Sequence, residues 1–244
     1  MQLKAFSCVR PQLNQAAEAL GYLSCARQVA GTEAPLEGRL ASELFMMDAS
    51  RALYLCELRD LASRTVTGLV GCLGVSDITS GHVTCTERLM PTDVAAHQQA
   101  VAQVVSASEQ LGAQDEVATL AHPTSFALDV IVTAAKSATP LWKFETQDGN
   151  ELTVWRMSRP EALEALGATF ASIEGAVIRD ERSQLVAEAA ELAHERAQAA
   201  ATVATVATGM EPTASFPVFL VPANQLSGAD VPTLPRGLFS RRTR

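Results

Sequence analysis

Apolar residues in "RTVTGLVGCLGVSD", Arg64 to Asp77, fall on both sides of an extended pleat. That pattern predicts a strand buried on two faces. Glycines at 68, 71 and 74 within it predict bulges or a close backbone approach. "LKAFSCVRP" reads as a short strand ended by Pro11, and "ALYLCEL", "EVATLAH", "AVI" at 176–178 and "FPVFLVP" as further strands. In "LWKFETQDGNELTVWRM" two alternating runs flank Asp148-Gly149-Asn150, which is hairpin-turn chemistry.

Other segments repeat with helical period. Val94, Val101, Val104, Val105 and Leu111 recur on one face after Pro91-Thr92-Asp93. "TSFALDVIVTAAKS" reads as a helix capped by Thr124 or Ser125. "SRPEALEALGATF" places Ser158 near a cap and Pro160 in the first turn. After strand 176–178, Leu185, Ala189 and Leu192 form a stripe that Val186, Ala190 and Ala193 widen. Glu188, Glu191 and Glu195 fall on the side predicted to face solvent. Residues 12–20 have helical composition, and 28–40 read as a loop insertion. "AQAAATVATVATGM" is a low-complexity helix end or loop.

Strands therefore mix with hairpins and helices, without regular βαβ alternation. The expected class is α+β with mixed sheets. One domain is expected over 1–226, followed by a mobile Pro/Arg-rich tail over 227–244.

Composition supports a folded chain: 48% of the 244 residues are apolar and 19% charged. The net charge of −8 argues against nucleic-acid binding through the body of the protein. It also gives no attraction to anionic membranes. No apolar run approaches the about 18 residues of a spanning helix. "MQLKAFSCVRP" lacks the apolar core of a signal peptide. A cytoplasmic protein is expected, with a protein partner or self-association rather than nucleic acid or membrane. The terminal "RRTR" reads as a solvated end.

Nucleotide-loop, zinc-protease and nucleophile-elbow motifs are missing from the sequence. The five cysteines show no CxxC spacing and read as reduced, mostly buried thiols. Cys72 lies in the predicted core strand. His82, His97, His122 and His194 have no second ligand at metal-binding spacing, so no metal site is expected.

Two polar segments remain. In "IRDERS" a strand turns into a helix, and such junctions present free N–H groups that bind phosphate. Asp180 is placed to cap that helix by accepting from Arg182 or Ser183. Asp180 and Glu181 also suit the positive end of the helix dipole, whereas Arg182 opposes it. A bound anion would account for Arg182. In "TCTERLMP", Glu87 and Arg88 read either as a solvated pair or as site residues.

Several segments in order resemble one bacterial and archaeal family, domain of unknown function 1015, with its Asp-Gly-His-His-Arg signature. They are "AFSCVRP", "RTVTGLVGCLGVSDITSGHV", "PLWKFETQDGNELTVWRMS" and "FPVFLVPANQL", spanning Ala5 to Leu226. The resemblance implies a ParB/sulfiredoxin-like element around the signature helix and kinship with free-serine kinases. It further implies a nucleotide with magnesium as ligand, and phosphoryl transfer to a small hydroxyl compound. Such chemistry needs cations and N–H groups on the phosphates, carboxylates for the metal, and a base.

The signature aligns with Asp180, Glu181, Arg182, Ser183 and Gln184, so only the Asp is kept. Upstream, where the family has His-Glu followed closely by Thr-Arg, Thr86 replaces the His and Glu87 keeps the Glu. Leu89 and Met90 stand at the Thr and Arg. The family's early Pro-Pro-Tyr-Asp has no counterpart here. Loss of the imidazoles removes acid–base groups that work near neutral pH. Gln184 cannot replace a guanidinium on phosphate. The expectation is a degenerate, catalytically inactive member acting as a binding or accessory protein. The alternative is a phosphotransferase with a rebuilt site: Asp180 or Glu87 on a metal ion, Arg182 with Ser183 and Gln184 at phosphate.

Overall fold

The computed structural model describes residues 1–13, 15–30, 35–86, 91–146, 148–204, 214–226 and 233–243. Twelve strands and seven α-helices are formed among them. The chain opens with β1 (Cys8–Pro11), α1 (Ala16–Ala30), α2 (Leu36–Ala41), β2 (Phe45–Met47) and β3 (Leu53–Arg59). Next come β4 (Thr65–Gly74), α3 (Val75–Thr79), β5 (Val83–Cys85), α4 (Val94–Leu111), β6 (Ala113–Gln114) and β7 (Ala118–His122). Then follow α5 (Phe126–Lys136), β8 (Trp142–Glu145), β9 (Glu151–Met157), α6 (Pro160–Ala171) and β10 (Ala176–Ile178). The last elements are α7 (Glu181–Ala204), β11 (Ser215–Pro222) and β12 (Ser240–Arg242). The class is α+β, as the pattern predicts. Among the described residues no helix is long and apolar enough to cross a membrane.

Local chemistry sets the element ends. Asp93 caps α4 by accepting from the Ala96 amide at 2.9 Å, and Gly112 ends it in the left-handed region at φ 73°. Ser125, not Thr124, caps α5. Pro160 occupies the first turn of α6, where a missing N–H costs nothing. Gly149 takes φ 77° in the β8–β9 turn, closed by Thr146 N–H to the Asn150 carbonyl at 2.8 Å.

Eight strands form the main sheet in the order β5-β10-β7-β11-β4-β3-β9-β8. The β10–β5 and β11–β7 pairs are parallel and the others antiparallel. Strand β4 lies inside it, and its last eight residues are all buried. Alternation sends Val70 and Cys72 to one face and Leu69 and Leu73 to the other. On the first face the core includes α1 residues Ala19, Leu20 and Leu23 and the C-terminal residues Leu234, Leu238 and Phe239. On the second it includes Leu166 and Phe170 of α6 and Val186, Ala187 and Ala190 of α7. Helix α4 packs outside α7, Val101 and Val105 meeting Ala189. The α7 stripe therefore divides between the sheet and α4. Glu188, partly exposed, pairs with His97 of α4 at 2.7 Å.

The β4 glycines permit close approach. A Cβ on Gly68 would stand 2.5 Å from the Leu220 carbonyl oxygen and 2.6 Å from the Phe219 ring. Gly68→Ala is expected to lower stability by about 1–3 kcal/mol, since overpacking forces strand or ring to shift. Thermal melts check this. A raised midpoint would show that the ring swings aside and that the stiffer unfolded chain dominates.

Two expectations need correction. Residues 28–40 are not one loop: 28–30 finish α1 and 36–41 form α2, with 31–34 outside the described residues. The tail, expected to be mobile, is also built into the fold over 233–243. Leu238 and Phe239 are completely buried, and β12 pairs with β1 and β6 to complete a four-stranded sheet, β2-β1-β12-β6. Burying the apolar residues between the prolines and the arginines outweighs the ordering entropy. Residues 227–232 and Arg244 lie outside the described residues, as do the ends of the low-complexity segment at 205–210.

Candidate functional site

Strand β10 delivers the chain to the start of α7 between two neighbours. Ile178 pairs with Cys85 on β5 and with Leu120 on β7. The Thr86 amide donates to the Ile178 carbonyl at 3.2 Å. The sheet thus brings the end of β5, where the upstream polar segment begins, beside the strand leading to the helix junction. Glu87 itself lies outside the described residues, together with 88–90.

Asp180 caps α7, its Oδ1 accepting from the Ser183 amide at 2.8 Å. Its Oδ2 is buried with no hydrogen-bond partner among the described residues. Arg182 donates from Nε to Glu116 Oε2 at 3.1 Å, with its side chain 42% exposed. Ser183 is buried, and its Oγ accepts from the Thr119 amide on β7 at 2.8 Å. Gln184 is buried, and its Nε2 donates to Glu188 Oε1 at 2.7 Å. Of the three residues predicted to meet phosphate, two therefore tie α7 to β7 and to its own next turn. Arg182 alone projects to a cavity.

That cavity has a volume of about 240 Å³. Arg182 and Arg236 line it, with Thr233, Asp148 and Asn150 among its polar walls. Arg236 donates to Glu116 at 2.8 Å and to Asp115 at 3.4 Å. Behind them Arg39, completely buried, donates to Asp115 at 2.9 Å and to Ser240 Oγ at 3.0 Å. Three guanidiniums thus meet at two neighbouring carboxylates, Asp115 and Glu116. Asp115, Glu116, Arg236 and Arg39 escaped the sequence reading. The available signal was "LPRGLF", an arginine among apolar residues, masked by reading 227–244 as tail.

Cys8, Cys56 and Cys72 are buried, and burial pushes their thiols up, Cys72 to about 12. Cys85 is exposed, with its thiol raised by partial burial and by the charges of Glu188 and Glu191. None of these is an activated thiolate. His122 is buried, its Nδ1 2.7 Å from the Pro123 carbonyl, and desolvation holds its imidazole below the usual range. Among the described residues no three His, Cys, Asp or Glu side chains converge as a metal-ligand set.

A family model described as "Protein of unknown function (DUF1015)" matches residues 15–229. No curated protein and no solved structure matches the chain. The match extends from the start of α1 past β11 and includes the α7 junction, so the chain belongs to this family of unknown function.

Proposed function

We propose that this protein is a binding or accessory member of its family that does not transfer phosphate. The observation that carries the reading is the occupation of the signature positions. Ser183 and Gln184 are 2% and 5% exposed and bonded within the fold. Side chains buried in this way, held at Thr119 and Glu188, are turned into the fold and away from an incoming phosphate. Glu181 places a carboxylate at the exposed first turn, against an incoming phosphate. The kinship to ParB/sulfiredoxin-like proteins and free-serine kinases that the sequence resemblance implies makes a nucleotide the first ligand to test.

The second reading is a phosphotransferase with a rebuilt site. It is favoured by the cavity beside Arg182 and Arg236 and by the unpartnered Asp180 Oδ2.

Thermal shift with ATP, ADP, CTP and GTP, each with magnesium, separates the two on wild type and Asp180→Asn. The binding or accessory reading expects no nucleotide-specific rise. Asp180→Asn should then change stability by no more than a cap, about 1 kcal/mol. A nucleotide at 100 times its Kd would add about 2.7 kcal/mol. A rise of that size, lost in Asp180→Asn and accompanied by phosphate release, would replace the first reading with the second.

A further inference from the structure

A second cleft lies between α5 and α6 above β9. Its volume is about 310 Å³, at the small end of ligand sites. Trp155 and Met157 of β9 line it. The indole Nε1 donates to the Ala138 carbonyl at 3.0 Å, which fixes the ring. Ala134 and Ala138 of the α5 end and Ala162 and Ala165 of α6 line the walls. Their short side chains leave the space between the helices unfilled.

The charge of the cleft is one-sided. Its charged lining residues are Arg156 and Arg159, with no carboxylate among the described lining. Arg156 is anchored, donating from Nε to Asp48 at 3.0 Å and from Nη2 to the Ser50 carbonyl at 2.9 Å. Arg159 is exposed and has no ion-pair partner among the described residues. An apolar recess carrying only cations, in a chain of net charge −8, selects a ligand with an apolar body and an anionic head.

We propose that this cleft binds a small amphipathic carboxylate. Its hydrocarbon part rests on Trp155, Met157 and the alanines, and its carboxylate meets Arg159. A guanidinium presents two parallel donors that match a carboxylate. The site shares no lining residue with the α7 junction, so either outcome of the nucleotide screen leaves this proposal standing.

The test uses the full chain and the fluorescent anion 1-anilinonaphthalene-8-sulfonate, titrated and then displaced by octanoate or 1-octanol. Saturable one-to-one binding is expected, with octanoate displacing the dye at roughly tenfold lower concentration than octanol. That factor corresponds to about 1.4 kcal/mol for the charged head. Arg159→Gln should weaken octanoate by roughly tenfold and leave octanol unchanged. Ala162→Phe should fill the cleft and abolish dye binding, with thermal melts reporting that each variant is folded. Non-saturating dye, equal competition by octanol, or binding indifferent to both substitutions would overturn the proposal. So would sedimentation showing a second copy of the chain covering the cleft.

Discussion

Replacing Asp48 by alanine is expected to remove about 3–5 kcal/mol of folding stability, the cost of breaking a buried ion pair from one side. Asp48 is 5% exposed and accepts from three donors. Arg10 Nε lies at 2.7 Å and Arg156 Nε at 3.0 Å, and the Tyr54 hydroxyl donates to Oδ2. Without the carboxylate, the buried Arg10 guanidinium and the partly exposed Arg156 guanidinium lose the partner they share. Arg10 is itself 5% exposed, with its guanidinium carbon 5.6 Å from the Trp142 ring centroid. Its contact with the aromatic ring offsets only part of the lost pairing. Domains are typically stable by 5–15 kcal/mol, so the variant approaches the limit of folding. Asp48→Asn retains an acceptor but not the charge, and should fall between wild type and alanine. Urea unfolding monitored by tryptophan fluorescence measures both. A loss below about 1 kcal/mol for Asp48→Ala would show that water reaches the arginines and solvates them.

Asp48 also shows where sequence reading stops. Its neighbours in the chain, "MMDASRA", look like a loop with an ordinary surface carboxylate. Its partners are 38 and 108 residues away, and only the pairing of β3 with β9 brings Arg156 to it. Patterns of local period predict the elements well because they reflect one strand or one helix at a time. β4, the β8–β9 hairpin and the α4 face from Val101 to Leu111 were legible for that reason, whereas Val94, expected on that face, is exposed. The strand order was not, since β7 lies between β10 and β11 through contacts of long sequence separation.

The candidate site divides in the same way. Asp180 as a cap was legible, because capping is settled within one turn. The fates of Ser183 and Gln184 were not. Whether a polar side chain near a helix start meets a ligand or a neighbouring strand depends on what the sheet brings opposite. Here β7 presents the Thr119 amide, and Ser183 accepts from it. Arg182 opposes the helix dipole, and the structure supplies its partner in Glu116. That partner is itself shared with Arg236, from a segment whose composition suggests disorder.

The C-terminal segment gives the second large effect. Arg39→Met is expected to cost about 3–5 kcal/mol and to loosen residues 233–243. Methionine approximates the volume of the arginine stem, so the loss is chiefly electrostatic. Asp115 would keep Arg236 at 3.4 Å but lose the guanidinium at 2.9 Å, and the Ser240 hydroxyl would lose its donor. Ser240 pairs with Val9 in the β1–β12 ladder, so the disturbance enters the small sheet directly. Tryptic cleavage after Arg236, Arg241 or Arg242 should accelerate, with the thermal midpoint falling in parallel. Intact C-terminal peptides in the variant at equal protease would show that Leu234, Leu238 and Phe239 hold the segment without the ion network. The same substitution reaches the α7 cavity. Arg236 is positioned by Asp115 and Glu116, and Arg182 shares Glu116, so a freed C-terminal segment takes one wall of that cavity with it. Any ligand of the Arg182 cavity should then bind more weakly to Arg39→Met, although Arg39 does not line the cavity. Binding in the α5–α6 cleft should be unchanged.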